Sequence, residues 1–380
     1  MPPTDNEIRS LNEFDIVKNF MVGIGGRSGL NEYDRLNDVL NHVPVDRPPV
    51  ICPMHAATAA LMRCAGCHES EVLDNPVKMA RMAIAVHDKA GFENVRVPFD
   101  ESVEVSAFGV ITGHKSAQRL PIVLQRIISS PSDVDDLRVP DPRTEGRVPH
   151  VLEAVRRLET EWQGSEEVPI FIGITSPLML AMQLRGDHEV LLDMDNEPEL
   201  LRALLGKTTN FIVEYLRAAV EVGVDQIVVD DSLSNSEVLT FNHFHEFAEP
   251  YEDRIANEMR RLDIESIMHL CGRISGEQLE RMVEIDVDAL SIDEEVPIPI
   301  LRGMAESRGM AIIGNVSPTT TLLMGSASNV EKETRRCIDE GIDAVAPGGS
   351  LEMYTPMENI VMMTRTAKRY GAEHHRQTMR

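Results

Sequence analysis

Two residues in this chain, His269 and Cys271, are of a type and spacing that could do chemistry together. They stand in the run Ser266-Ile267-Met268-His269-Leu270-Cys271-Gly272. The run reads as a short strand that ends at a glycine. On a strand, residues two apart point to the same face, so the imidazole and the thiol project together while Leu270 faces the other way. Such a pair at a strand end can hold zinc. It can equally be a buried cysteine beside a hydrogen-bonded histidine, because two ligands alone do not define a metal site.

What positions the pair is an alternation of short β-like runs with amphipathic helices. After Arg47-Pro48-Pro49 the apolar runs are Pro49–Met54, Asn94–Phe99, Val168–Thr175, Gln226–Asp230, Ser266–Cys271, Ala289–Asp293, Ala311–Val316 and Ala344–Pro347. Helical periodicity separates them at Val77–Ala90, Glu199–Val222, Ser275–Glu284 and Val330–Glu340, and Pro76 suits a helix start. Eight strand–helix alternations argue for an α/β fold of the (β/α)8 TIM-barrel type. A doubly wound open sheet is the alternative. Residues 49–380 are expected to form the barrel domain. Residues 1–48 read as an N-terminal helical extension, with helices near Glu13–Val22 and Glu32–Asn41 and a loop at Gly23–Gly26. The stretch Gly109–Glu167, with a candidate helix cap at Ser130–Ser132, reads as an insertion beside the second strand, placed to cover a site or to form an extra hairpin.

Barrel active sites form at the C-terminal strand ends. Here those ends carry Asp100, Thr175, Ser176, Asp231, Ser232, His269, Cys271, Glu294, Asn315 and the Pro347-Gly348-Gly349-Ser350 loop. A ring rich in carboxylates with one His and one Cys suits a metal or an acid–base mechanism. Asp100 follows an apolar strand directly and is a catalytic candidate, as is Glu294, which lies next to the His–Cys pair and could complete a metal shell. Asp231, Asn315 and Thr175 are candidate substrate-binding residues. For Asp231, Ser232 and Ser176, capping of the following helix is an equally good reading.

Composition narrows the partners. With 37 basic and 62 acidic residues the net charge is −25, a field that repels nucleic acid and anionic membranes. Five scattered cysteines fit free thiols of a cytoplasmic protein rather than a disulfide framework. The polar, acidic N-terminus has no apolar stretch of the signal-peptide kind, and no run of about 18 apolar residues predicts a membrane span. Cys64-Ala65-Gly66-Cys67-His68 formally matches a haem-attachment pattern. Without an export signal it reads instead as two packed thiols at a helix end.

From about Pro49 to Tyr370 the chain resembles the uroporphyrinogen decarboxylase superfamily, and within it the corrinoid-dependent, methylcobamide:coenzyme M methyltransferase-like branch. The segments that carry the resemblance are ENVRVPFDESVEVSAFG (93–109), MHLCG (268–272), LSIDE (290–294) and GIDAVAPGGSLEMYTPMENI (341–360). It implies a (β/α)8 barrel enzyme that moves a methyl group between a corrinoid and a small-molecule donor or acceptor. No corrinoid-binding domain is evident, so the corrinoid would arrive on a partner protein. That branch places zinc on a His-x-Cys pair, matched by His269 and Cys271, and an acidic residue matched by Glu294 can approach the metal. Its third ligand is a Cys in a PGCG-like loop, where this chain has Gly349. The alternative is a cofactor-free decarboxylase acting on a smaller substrate. Asp100 matches the decarboxylase's catalytic Asp, but its Tyr and His positions correspond to Met182 and Gly349, and its N-terminal Arg-rich motif is missing.

Overall fold

The structure, a computed structural model, describes residues 29–113 and 122–378. The expected helix at Glu13–Val22 and the Gly23–Gly26 loop lie outside the described residues. Seven parallel strands form one sheet in the order Val95–Val97, Ile170–Thr175, Gln226–Asp231, Glu265–Leu270, Ala289–Ile292, Ala311–Val316 and Ala344–Pro347. The eighth stave is the run after Pro49. Val50 bridges in parallel to Val345, with Ile51 N–H donating to the Val345 carbonyl at 2.9 Å and Val345 N–H to that of Pro49 at 2.9 Å.

On its other side this stave meets the second strand largely through a side chain. The Asn94 carboxamide accepts from Cys52 N–H at 2.8 Å and donates to the Cys52 carbonyl at 3.1 Å, standing in for a peptide unit of the ladder. Glu93 N–H donates to the Val50 carbonyl at 2.8 Å. The sheet therefore closes on itself, and the (β/α)8 barrel holds over the open-sheet alternative. Among the described residues no helix is long and apolar enough to cross a membrane.

The interior is filled by residues from alternate strand positions: Ile51, Phe171, Val228, Ile267, Ala289, Ala311, Ile313, Ala344 and Ala346. The N-terminal end is plugged by the helix Glu32–Leu40, whose Leu36, Val39 and Leu40 join this cluster. Tyr33 N–H donates to the Glu167 carbonyl at 2.8 Å, just ahead of the third strand, which fixes the plug at the strand-start end. The plug is held electrostatically by buried Glu93, which meets Arg35 at 3.3 Å and is doubly bonded by Arg47. Burial opposes the charge, yet Arg47, Lys368 and Arg35 outweigh it and hold the carboxyl down at about 2.

The predicted helices are present at Pro76–Ala85, continued by a turn of wider helix at Val86–Ala90, and at Pro198–Glu221, Gly276–Met282 and Ala327–Asp339. The insertion holds a small antiparallel ribbon, Thr112–Gly113 with Ile122–Val123, and the helix Pro131–Asp136, capped by Ser130. The reading of Cys64 and Cys67 as two packed thiols needs correction. The helix Ala59–Ala65 ends at Gly66, whose φ of 63° turns the chain, so Cys67 packs inward and Cys64 faces solvent.

Pleating decides what faces the lumen. On the fourth strand Val228 points inward while Ile227 and Val229 pack under the helices, so Asp230 faces the lumen and Asp231 faces out. Asp231 meets Glu252 of the helix Glu249–Arg261, and the Ser234 hydroxyl lies 2.8 Å from one carboxyl and 3.0 Å from the other. Burial, then mutual proximity, raises Glu252 well above the ordinary range, and burial raises Asp231. The pair therefore shares a proton that the unfolded chain would release.

Two outcomes are expected. Leu36→Ala should cost about 2–5 kcal/mol of stability in denaturant titration, the range for a fully buried leucine. The Asp231–Glu252 pair stabilises fully below the ordinary carboxylate pKa of about 4, and that contribution is lost as pH rises through the raised folded-state values. Glu252→Gln, which keeps the hydrogen bonds, should flatten the fall in melting temperature between neutral and alkaline pH. An unchanged pH slope would show that the pair is not protonated.

Candidate functional site

The C-terminal mouth gathers inward-facing polar residues from neighbouring strands. Asp230 stands beside His269 in register, and His269 beside Ser291. His269 is 1% exposed, and its Nδ1 lies 3.0 Å from the Ser291 hydroxyl. Burial pushes its pKa down to about 4, so the imidazole is neutral and has a lone pair to offer at neutral pH. The other nitrogen looks toward the last strand's loop: a Cβ added at Gly349 would lie 3.9 Å from His269 Nε2.

Cys271 is half-buried one pleat above. Burial raises its thiol to about 12, reinforced by Asp293, which it contacts by a hydrogen bond, and by Asp230 and Glu294. Asp293 accepts backbone N–H bonds from Gly272 and, at 2.8 Å, from Glu295. Glu294 accepts from the Ser317 hydroxyl and leans over Gly348, where a Cβ would come within 3.0 Å of its carboxylate. Asp230 takes the Ser232 hydroxyl on Oδ1 and leaves Oδ2 buried without a partner. Burial, then Glu101, lifts Asp230 to about 8, so it is a neutral acid at neutral pH.

The remaining expected site residues fall elsewhere in the same end of the barrel. Asp100 is gripped by Arg147 through two bonds of 2.7 and 2.8 Å and accepts the Ser102 hydroxyl at 2.6 Å. Burial opposes its charge, but Arg147 wins and holds it below the usual carboxylate range. Thr175 gives its N–H and hydroxyl to buried Glu104 at 3.0 and 3.2 Å, and burial raises Glu104 to about 7. Asn315 donates to the carbonyls of Asp293 and Val296 at 3.0 and 3.1 Å and accepts from Arg336, so it braces the loop under Asp293. Asp231 lies in the Glu252 pair behind the strand. The structure thus brings His269, Cys271 and Glu294 to the mouth and engages Asp100, Thr175, Asn315 and Asp231 in the walls.

Four groups at the mouth were not anticipated from the sequence: Asp230, Arg96, Glu101 and His55. His55 is buried and lies 3.7 Å from Glu101. Arg96 sits on the second strand with its guanidinium over Gly173, where any side chain would collide with it. The strand period was available to find Asp230 and Arg96, but the flanking Val and Ile residues are apolar on both faces and conceal the phase.

The donors match zinc in kind: a neutral imidazole, a thiol and flanking carboxylates. They do not converge, and among the described residues no three His, Cys, Asp or Glu side chains lie close enough together to hold a metal ion. The Gly349 distance shows where a further ligand would approach His269.

Comparison with known proteins follows this geometry. Over 337 residues the chain is 31% identical to the Methylcobamide:CoM methyltransferase MtbA of Methanosarcina acetivorans, covering 89% of this chain and 97% of that protein. It is 27% identical to the Methylated-thiol–coenzyme M methyltransferase of Methanosarcina mazei, over 85% of each chain. A solved methyltransferase structure from Methanosarcina mazei superposes with a TM-score of 0.84 at 27% identity, covering 90% of this chain and 99% of that one. Residues 31–370 match the uroporphyrinogen decarboxylase (URO-D) family, and the chain belongs to that family.

Proposed function

We propose that this protein transfers a methyl group between a corrinoid carried by a partner protein and a small thiol or thioether at the barrel mouth, and that it acts in the cytoplasm. The observation that carries this reading is the neutral His269 on one lumen face with Cys271, opposite the open position at Gly349. Relatives named for methylcobamide and for methylated thiols support it.

His269, Cys271 and Glu294 do not converge, so they are the donors that would have to draw together to hold zinc; a bound ion would supply acidity that lowers the pKa of a substrate thiol. The chain's own residues set the rest. Ser291 orients the imidazole. Asp293 receives the Cys271 proton, which must leave before a thiolate can bind metal. Asp100 acts through Arg147 as a positioning residue: Arg147 begins the helix Val148–Glu161, and the pair ties the inserted segment to the rim. Glu294, exposed at the mouth and accepting from the Ser317 hydroxyl, is placed over Gly348 in the last strand's loop. The decarboxylase alternative is disfavoured, because both oxygens of Asp100 are taken by Arg147 and no arginine cluster lines the mouth among the described residues.

The direct test adds methylcobalamin and 2-mercaptoethanol to purified protein and follows the corrinoid spectrum under reducing conditions. Demethylation that depends on the protein is expected, and His269→Ala should slow it by about 100-fold or more, as loss of a metal ligand exceeds the 10–100-fold of an outer partner. A spectrum that does not change with any thiol would sink the proposal. Metal analysis tests the shell separately. Gly349→Cys should retain about one zinc per chain, tighter than the unaltered protein, and adding His269→Ala should remove it. Equal zinc in the unaltered protein and Gly349→Cys would show that position 349 does not face the ion.

A further inference from the structure

His55 and Glu101 stand at the mouth without a task in the reading above. His55 follows the first stave and is 4% exposed. Its carbonyl accepts from Leu351 N–H at 3.0 Å, and Ala59 N–H donates to the Met353 carbonyl at 2.8 Å. The end of the first stave is thereby laced to the loop whose Gly349 faces His269 Nε2. His55 thus belongs to the open side of the site, away from the strands that carry His269 and Cys271.

Glu101 follows the second strand, and Gln183 holds its carbonyl at 2.7 Å. Its carboxylate lies 3.7 Å from His55 Nε2, within ion-pair range. Glu101 reaches solvent, whereas His55 does not. The protein packed around Glu101 opposes its charge, yet His55, ahead of Arg96, holds the carboxyl below its usual range. With Nε2 turned toward an ionised carboxylate, the neutral imidazole carries its proton there and its lone pair on Nδ1. That Nδ1 is buried and has no hydrogen-bond partner among the described residues. A buried acceptor left open in this way is costly unless a ligand's donor completes it. A carboxylate behind an imidazole whose far nitrogen is open is the arrangement of an oriented general base. Asp100, the other carboxylate of this rim, has both oxygens on Arg147 and is not free for such work.

We propose that His55, backed by Glu101, is the general base of the reaction and takes the proton of the substrate thiol as its sulfur attacks the methyl group. The assignment rests on the methyl-transfer reading above. The S–H bond breaks and its electron pair stays on sulfur, which forms the new bond to the methyl carbon. The carbon–cobalt bond breaks with its pair left on the corrinoid. The proton arrives on Nδ1, and the imidazolium so formed faces the Glu101 carboxylate. Nε2 then passes its proton to that carboxylate and so to water, which resets the base. This route gives the exposure difference a purpose, since solvent reaches Glu101 but not Nδ1.

Two thiols separate this role from a structural one. At mildly alkaline pH 2-mercaptoethanol is mostly protonated, whereas 2,2,2-trifluoroethanethiol is mostly ionised and has no proton to give. Transfer from methylcobalamin to 2-mercaptoethanol should slow by about 100-fold in His55→Gln, the lower end of general-base contributions. Transfer to trifluoroethanethiol should hardly change. The deficit with 2-mercaptoethanol should close as pH rises and the thiol ionises by itself. Glu101→Gln, at a side chain that reaches solvent, should show the same selectivity with a smaller loss, and it carries the test if His55→Gln does not fold. A loss of equal size for both thiols makes the pair structural and overturns the assignment, as does a rate that the folded variants leave unchanged. No transfer to either thiol by the unaltered protein would refute the proposed reaction and the base with it. Transfer without a thiol-selective loss would refute the base alone.

Discussion

The period of two along a parallel strand is the constraint on which this molecule depends. In a closed barrel each strand has one face in the lumen and one under the helices, and a shift of one residue exchanges them. On the fourth strand that parity sends Asp230 to the mouth and Asp231 to a buried partnership with Glu252. On the fifth it aligns Ile267 with the apolar plug and His269 and Cys271 with the mouth. The register Asp230–His269–Ser291 across three strands follows from the same parity, so the site is a layer of the barrel rather than a set of loops.

Desolvation then assigns the protonation states within that layer. The floor is apolar, because Leu36, Val39 and Leu40 close the strand-start end. Above it burial drives His269 down and Cys271 and Asp230 up, each toward its neutral form. Neutrality is the cheap state for a buried titratable group, and it has chemical consequences. The imidazole is ready to donate a lone pair, whereas the thiol is not ready to act as a thiolate. Arginine cannot take this route, so Arg96 keeps its charge beside groups that burial neutralises, as does Glu101, whose carboxyl His55 and Arg96 hold below its usual range. Asp100 and Glu93 show the contrast: both are buried and ionised, and both have cations in direct contact.

Much of this was legible in the sequence because it is local. The eight apolar runs fall on the eight staves, and helix starts such as Pro76 follow from backbone chemistry. The His269–Leu270–Cys271 spacing predicts a shared face without knowledge of the fold. What was not legible depends on pairings between distant segments. Asp100 reads as a free carboxylate because nothing local shows that Arg147 reaches it from 47 positions away. Asn315 sat at a strand end like a pocket residue, but its amide is consumed by the carbonyls of the preceding loop. Asp230 and Asp231 cannot be told apart locally, because Ile227, Val228 and Val229 are all apolar and erase the alternation that separates inside from outside. Arg96 went unremarked because an arginine within VRVPFD reads as an ordinary strand-edge charge until its burial is known.

The opening pair now has a more definite setting. His269 is fixed through Ser291 on one nitrogen and faces Gly349 with the other, and Cys271 leans on Asp293. A cysteine at 349 would meet the imidazole from across the lumen; a glycine leaves that side open. The opening clears space beside His269, where a Cβ at position 349 would lie 3.9 Å from Nε2. Arg96 is a second group of the lumen whose hydrogen-bonding capacity is largely unused: its guanidinium donates to the Pro98 carbonyl, and its buried Nε–H finds no acceptor.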